Sequence, residues 1–388
     1  MTKSKTEEFA HARRLFPHTK QVIYFNAASY GPLCVNVQQA VSENIEKRIA
    51  ADDPDAHDQF APASQLRKDF AGMIGAKKSQ IGIAMSTSFG LNIAAFGLPF
   101  KRGDEILVSD VEFPAVVYTW RAAAERRGLK LKFVKSRDRM FDIAAFEKAI
   151  TRRSRVLSIS WVQFFNGFKN DLAELSRICK KHGMLLIVDG IQGMGVEPVD
   201  VRKLGIDIFT SGCQKWMLSP MGCGFFYLSD DMMDRLETPF MSWLGVDWKM
   251  KFTDLLHYDR PYFETAERFE LGYCDVFNLV GMRAVNQIFK GLGIKNIQRH
   301  NYELIDQLSE YINNSPVYRI TSSEEKKHRS SIMTFTCQRY QDLHKFLVRQ
   351  KIMLVPREGS IRVAVHLYNN QQDIKKLIDC LDRFAARR

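Results

Sequence analysis

The chain has 388 residues, 45% of them hydrophobic and 26% charged, with a formal net charge of +12. That is enough for one large domain and a smaller one, and no apolar run approaches the ~20 residues of a membrane-spanning helix. The excess Lys and Arg residues are spread along the chain and no nucleic-acid motif accompanies them, so a surface that attracts anionic substrates, or nothing specific, is expected rather than a nucleic-acid partner. The seven cysteines, at 34, 179, 213, 223, 274, 337 and 380, are odd in number and form no Cys-x-x-Cys pair. Neither a disulfide framework nor a zinc or other metal site is expected, and a cytoplasmic protein with reduced thiols is the default. The first 20 residues carry mixed charges and no apolar h-region, so they read as an N-terminal arm and not a secretory signal.

Residues 21–33 read as a short strand running into small residues and a Gly31-Pro32 break. Amphipathic helices follow at 35–51 and 61–75. A strand then ends at Met85, and small hydroxyl residues, Ser86-Thr87-Ser88, open a helix. Such an N-terminus offers free N–H groups to a phosphate, although Ser and Thr cap many helices. A buried-type strand at 105–109 leads into Asp110-Val111-Glu112-Phe113-Pro114. Further strands lie at 129–134 and 155–160, the second running into Trp161–Gly167, with Asp171 placed to cap the next helix.

The chemistry concentrates between residues 184 and 228. Two short apolar runs, 184–188 and 206–209, have the length and β-branched content of strands buried on both faces. In a parallel α/β sheet the carboxyl ends of such strands open onto one crevice. The first run delivers Asp189 and Gln192; the second delivers Ser211, Gln214 and Lys215, before a glycine-punctuated strand at 222–228. Alone, such a lysine reads as solvated and such an aspartate as a turn or cap. Together they suit pyridoxal phosphate, with the lysine bonding as a Schiff base and the carboxylate keeping the pyridine nitrogen protonated. After an irregular aromatic stretch at 241–262 comes Glu267-Arg268-Phe269-Glu270-Leu271-Gly272-Tyr273. Helices at 279–290 and 296–314, strands near 318–321 and 331–337, a segment containing Arg357 and Ile361-Arg362-Val363, and a helix at 372–385 complete the chain.

The run Val188-Asp189-Gly190-Ile191-Gln192, then Ser211-Gly212-Cys213-Gln214-Lys215, resembles the core of class V aminotransferase-type enzymes, with one extra residue between the serine and the lysine. Gln214 stands where many members have His. The resemblance extends over nearly the whole chain, and its implications are specific. Lys215 would be the catalytic residue. Thr87 and Ser88 would hold the cofactor phosphate, Phe113 would stack on its ring, and Asp189, Gln192, Ser211 and Gln214 would contact it. Tyr273 falls where the family has a Thr reaching the partner subunit's cofactor, in a homodimer with composite sites. Arg362 would grip the substrate α-carboxylate, with Arg357 a second cation and Asn26 and Tyr30 lining the site. Which of Gln163, Phe164 and Asn166 touches the cofactor stays open.

The implied fold is α/β, fold-type I: a central, mostly parallel seven-stranded sheet flanked by helices in residues 21–275, and a smaller α+β domain in 276–388. The implied function is catalysis at Cα or Cβ of a small amino acid, as epimerase, C–S or C–C lyase or transaminase. A strict class V aminotransferase is the alternative, and a non-catalytic scaffold of the same fold stands behind it. Cysteine desulfurase chemistry ranks lower, because no cysteine lies between Cys337 and Cys380 to accept sulfur before Arg362.

Overall fold

The computed structural model describes residues 5–51, 60–249, 251–272 and 275–386. Its strands are β1 Ile23–Tyr24, β2 Ile81–Ala84, β3 Glu105–Ser109, β4 Lys130–Val134, β5 Ser154–Ser160, β6 Leu185–Asp189, β7 Ile208–Gly212, β8 Gly224–Leu228, β9 Arg319–Ile320, β10 Ile332–Thr336, β11 Ile352–Met353, β12 Val355–Arg357 and β13 Ser360–Ala364. Seven of them form one sheet in the order β2-β8-β7-β6-β5-β3-β4. The five from β7 to β4 run parallel, while β8 is antiparallel to both β7 and β2. The expected mostly parallel seven-stranded α/β sheet is therefore what the chain builds.

The sheet explains why β6 reads as a continuous apolar run. Leu186 and Val188 enter one core, with Leu107, Leu157, Phe209 and Phe225. Leu185 and Ile187 enter the other, with Ile106, Val156, Ile208 and Phe226. A strand covered by helices on both faces has no polar side to show. The strand expected at 206–209 is shifted to Ile208–Gly212. Ile206 packs beneath the sheet, and the Asp207 carboxylate accepts the Leu186 N–H at 2.7 Å.

A second, antiparallel sheet, β12-β13-β10-β9, lies in the C-terminal third. Ile361 and Val363 of β13 point into a third core with Met333, Phe335, Leu304 and Leu377, which turns Arg362 to the opposite side. In the N-terminal stretch, the expected short strand is Ile23–Tyr24. It pairs parallel with β11, and Asn26 bridges Ala364. The segment after residue 21 thus lies against the C-terminal sheet, between the two layers. Among the described residues no helix is long and apolar enough to cross a membrane, and no group of His, Cys, Asp and Glu is placed to hold a metal.

Candidate active site

Asp189 is the last residue of β6 and Ser160, its register partner, the last of β5. Glu112 follows β3, and Lys215 follows β7. The chemistry therefore collects at the carboxyl ends of the parallel strands, where such sheets open a crevice.

Lys215 occupies a tight turn. Its carbonyl accepts the Leu218 N–H at 3.2 Å, and the Cys213 carbonyl accepts the Ser219 N–H at 3.2 Å. Leu218 closes that turn in the left-handed region, at φ 54°. Gly31 passes so close that a Cβ there would stand 2.3 Å from the Lys215 carbonyl oxygen, so only glycine fits. Its N–H donates to the Gln214 carbonyl at 2.8 Å. The Lys215 side chain is buried, and its Nζ stands 5.1 Å from the centre of the Phe113 ring. Burial pushes the amine down to about 8 against the pull of Asp189, and the charges of Arg362 and Arg357 push the same way. A lowered amine of this kind releases its proton far more readily near neutral pH than an ordinary lysine does, as a base or nucleophile must.

Asp189 is buried and accepts the Ile191 N–H at 2.9 Å. Burial raises its carboxyl to about 6, against that hydrogen bond and the Lys215 charge. Close by, Glu112 is held by the Ser160 N–H at 3.0 Å, the Ser160 hydroxyl and Gln163 Nε2 at 2.9 Å. Burial lifts it to about 7 in spite of these donors, and the Asp189 charge adds to the rise. Nothing in the sequence assigned Glu112 a role. Its signal was its place beside Phe113, and the carboxylate-binding groups come from the end of β5 and the turn just after it, some 50 residues away.

At the other wall, Ser86 caps the helix Thr87–Gly97 and accepts the Phe89 N–H at 3.3 Å. The first N–H groups of that helix have no intrahelical partner. Thr87 Oγ1 accepts the Gly212 N–H at 2.8 Å, and the Thr87 carbonyl accepts from Thr210 Oγ1 at 3.1 Å. The helix end is thus pinned to the end of β7, two residues before the lysine turn begins at Gln214. Ser88 is half-buried in the same turn.

Arg362 is 1% exposed. Its guanidinium donates to the Phe164 carbonyl, to Asn26 Oδ1 at 3.2 Å and to Ser29 Oγ at 2.7 Å. Burial, and then Arg357, lower it to about 9, which leaves it cationic at neutral pH. Ser29 went unassigned in the sequence, where Asn26 and Tyr30 were singled out in the same segment. Tyr30 is half exposed, and its carbonyl accepts the Tyr24 hydroxyl. Arg357, half-buried on β12, donates to its neighbour's carbonyl, Pro356 O, at 3.3 Å.

Several expected cofactor contacts are engaged with protein groups. Gln192 donates from Nε2 to the Ala28 carbonyl at 3.0 Å and accepts the Trp216 indole N–H at 2.8 Å. Ser211 is buried, and its hydroxyl donates to the Gly212 carbonyl at 2.9 Å. Gln214 Oε1 is buried without a partner among the described residues. Asn166 donates to the Arg139 carbonyl and accepts the Phe168 N–H, a turn-forming role. Phe164 sets its ring edge-on to Phe113 at 5.1 Å. Tyr273 lies outside the described residues. Glu270, in the same motif, is buried on the Arg67 guanidinium at 2.7 Å and accepts the Ile83 N–H at 2.8 Å.

The sequence profile of the class-V aminotransferases, "Aminotransferase class-V", matches residues 23–377. The chain belongs to this family. Among curated class V relatives, a probable cysteine desulfurase of Methanothermobacter thermautotrophicus is 26% identical over 96% of this chain and 97% of its own. The isopenicillin N epimerase of Streptomyces clavuligerus is 28% identical over 61% of this chain and 60% of its own. Among solved structures, a Lys-to-Ala variant of C-DES with glycine covalently linked to its pyridoxal-phosphate cofactor superposes with a TM-score of 0.86. It is 21% identical and covers 95% of this chain and 98% of that one. The class V fold expected from the sequence is thereby shown.

Proposed function

We propose that this chain is a pyridoxal-phosphate enzyme that works at Cα or Cβ of a small α-amino acid through Lys215, as an epimerase, a C–S or C–C lyase, or a transaminase. The observation that carries the reading is Arg362. A guanidinium so deeply buried is costly unless an anion meets it, and among the described residues it has no carboxylate partner. The α-carboxylate of an amino acid supplies that anion in a two-pronged geometry.

Pyridoxal phosphate fits the residues present. A buried carboxyl suited to a protonated ring nitrogen, an amine lowered to about 8, an aromatic ring facing that amine and a helix N-terminus for a dianion all meet there. The buried, unpartnered Gln214 Oε1 beside the lysine adds a polar group awaiting a partner. When bound, the cofactor supplies an electron sink for the pair released at Cα.

The chain's residues supply the rest. Asp189 would hold the ring nitrogen's charge, and Thr87 and Ser88 would hold the phosphate at the helix N-terminus. Gln192, Ser211 and Gln214 order the walls of that pocket, and Phe113 would cover the ring face. Arg362 fixes the substrate carboxylate, with Arg357 adding positive potential. The freed Lys215 amine takes a proton from Cα and returns it, to the same or the opposite face or elsewhere, according to the reaction.

A persulfide route ranks lower, because no cysteine stands between Cys337 and Arg362. β12 and β13 join through Glu358 and Gly359 alone, both at positive φ, in a tight hairpin just before Arg362. That hairpin leaves no room for a cysteine-bearing loop between β12 and β13.

The active assembly we propose is a homodimer in the cytoplasm. Tyr30, Met85 and Met221, exposed by 52%, 49% and 68%, lie on the segments that carry Gly31, Thr87 and the lysine turn. A second copy would cover these apolar side chains. Incubating the reconstituted protein with single amino acids in deuterated buffer tests the reaction class. At least one should exchange its Cα proton, and exchange with none would overturn the reading.

A further inference from the structure

The Lys215 amine has no hydrogen bond among the described residues, so its place is set through its backbone. On one side, Gly31 N–H holds the Gln214 carbonyl at 2.8 Å. On the other, the Trp216 carbonyl is met by a residue from the far end of the chain, His366 Nε2, at 2.8 Å.

We propose that His366 is a positioning residue: through the Trp216 carbonyl it holds the Lys215 backbone in register with Arg362. The inference rests on the roles given above to Lys215 and Arg362.

His366 is fully buried. Its Nδ1 accepts the Leu367 N–H at 2.7 Å, so the ring proton resides on Nε2, and the bond to Trp216 is a donated one. Burial drives the ring down to about 3, which keeps it in this neutral tautomer at working pH. The ring cannot turn away: it stacks on Tyr368 with centres 5.5 Å apart, and the Trp216 ring lies at 5.5 Å on a tilt. Asn369 Oδ1 accepts the His366 N–H at 2.9 Å and anchors the backbone. The Trp216 indole is held in turn by Gln192, and Gln192 by the Ala28 carbonyl.

The position of His366 in the chain gives this contact its consequence. It stands four residues after Arg362, on the segment that begins as β13. Ala364, between them, bridges Asn26, which itself accepts from Arg362. One short rigid segment therefore orients both the group that fixes the carboxylate and the backbone of the group that acts at Cα. A displacement of about 1 Å between such groups can cost on the order of 100-fold in rate. Binding through Arg362 would survive a slackened lysine turn, while proton transfer would not.

The test compares His366→Phe, which keeps a ring but removes the donor, with His366→Gln, whose Nε2 can replace it. Both are made in the full chain. Three quantities are read: the rate at which added pyridoxal phosphate develops a visible band in the apo-protein, kcat and KM for an amino acid that the wild type turns over, and apo-protein melting. His366→Phe should slow band formation and lower kcat roughly 10-fold or more, with KM within about twofold. His366→Gln should recover most of both. Equal losses in the two variants, or kcat, KM and melting falling together, would reduce His366 to packing and overturn the proposal. A wild-type-like His366→Phe would overturn it as well. Should His366→Phe fail to fold, His366→Met against His366→Gln makes the same comparison. A wild type that captures no cofactor would instead sink the functional reading itself, and this inference with it.

Discussion

The Nζ of Lys215 lies 5.1 Å from the centre of the Phe113 ring, with Asp189 near enough to raise the amine's pKa and Arg362 and Arg357 near enough to lower it. An ammonium over an aromatic face is favoured, yet burial in this cationic neighbourhood outweighs that attraction and leaves the amine at about 8. Groups from the elements around both sheets thus set the charge of this amine, and each of them can be tested separately.

Replacing Lys215 with Ala should abolish the visible cofactor band and lower turnover by roughly 10²–10⁴-fold or more, while the protein melts normally. In wild type, the rate of cofactor capture should rise with pH toward about 8 as the amine loses its proton, and level off above it. A Lys215→Ala protein that no longer folds would show a structural lysine instead.

Arg362→Ala removes charged hydrogen bonds worth about 1.5–3 kcal/mol, so KM for α-carboxylate substrates should rise on the order of 10- to 100-fold. Arg362→Lys should recover only part, because an ammonium cannot reproduce the fork that Asn26, Ser29 and the Phe164 carbonyl orient. Unchanged kinetics in Arg362→Ala would pass the carboxylate to Arg357.

Glu112 gives a pH test in the apo-protein. Its carboxyl is raised from 4.5 to about 7 in the fold, so the folded state binds the extra proton between those values. Its contribution to stability is complete below about 4.5 and is lost as pH rises through about 7, on the order of 3 kcal/mol. Glu112→Gln mimics the protonated form. Its stability relative to wild type should therefore increase from pH 5 to pH 8, as read by denaturant titration. A parallel pH dependence in the two proteins would mean that Glu112 ionises normally.

Thr87 and Ser88 should separate by assay. Thr87→Val removes the acceptor of the Gly212 N–H and should cost about 1–3 kcal/mol of apo-protein stability as well as cofactor affinity. Ser88→Ala should weaken cofactor binding and leave apo-protein melting unchanged. Loss of affinity in neither variant would move the phosphate away from this helix.

How much of this could be read from the sequence follows from what each residue depends on. The ends of β6 and β7 were legible because strands covered on both faces are apolar throughout, so Asp189 and Lys215 stood out where the runs stop. The alternation Ile361-Arg362-Val363 likewise told which way Arg362 points. Glu112, Ser29 and His366 were not legible in this way. Their partners lie 48, 333 and 150 residues away, and no local period or spacing records a contact made by packing. The short strand at the start of 21–33 was legible as β1, but its pairing with β11, some 330 residues away, was not.

The central claim is that Lys215, Asp189 and Arg362 form one working pyridoxal-phosphate site. The absorption spectrum of the purified protein, recorded with added pyridoxal phosphate and then with each common amino acid in turn, tests it most directly. The account predicts a visible band that is absent in Lys215→Ala and that shifts with particular amino acids. A protein that stays colourless with the cofactor present would contradict it, and would make the chain a binding scaffold on a class V fold.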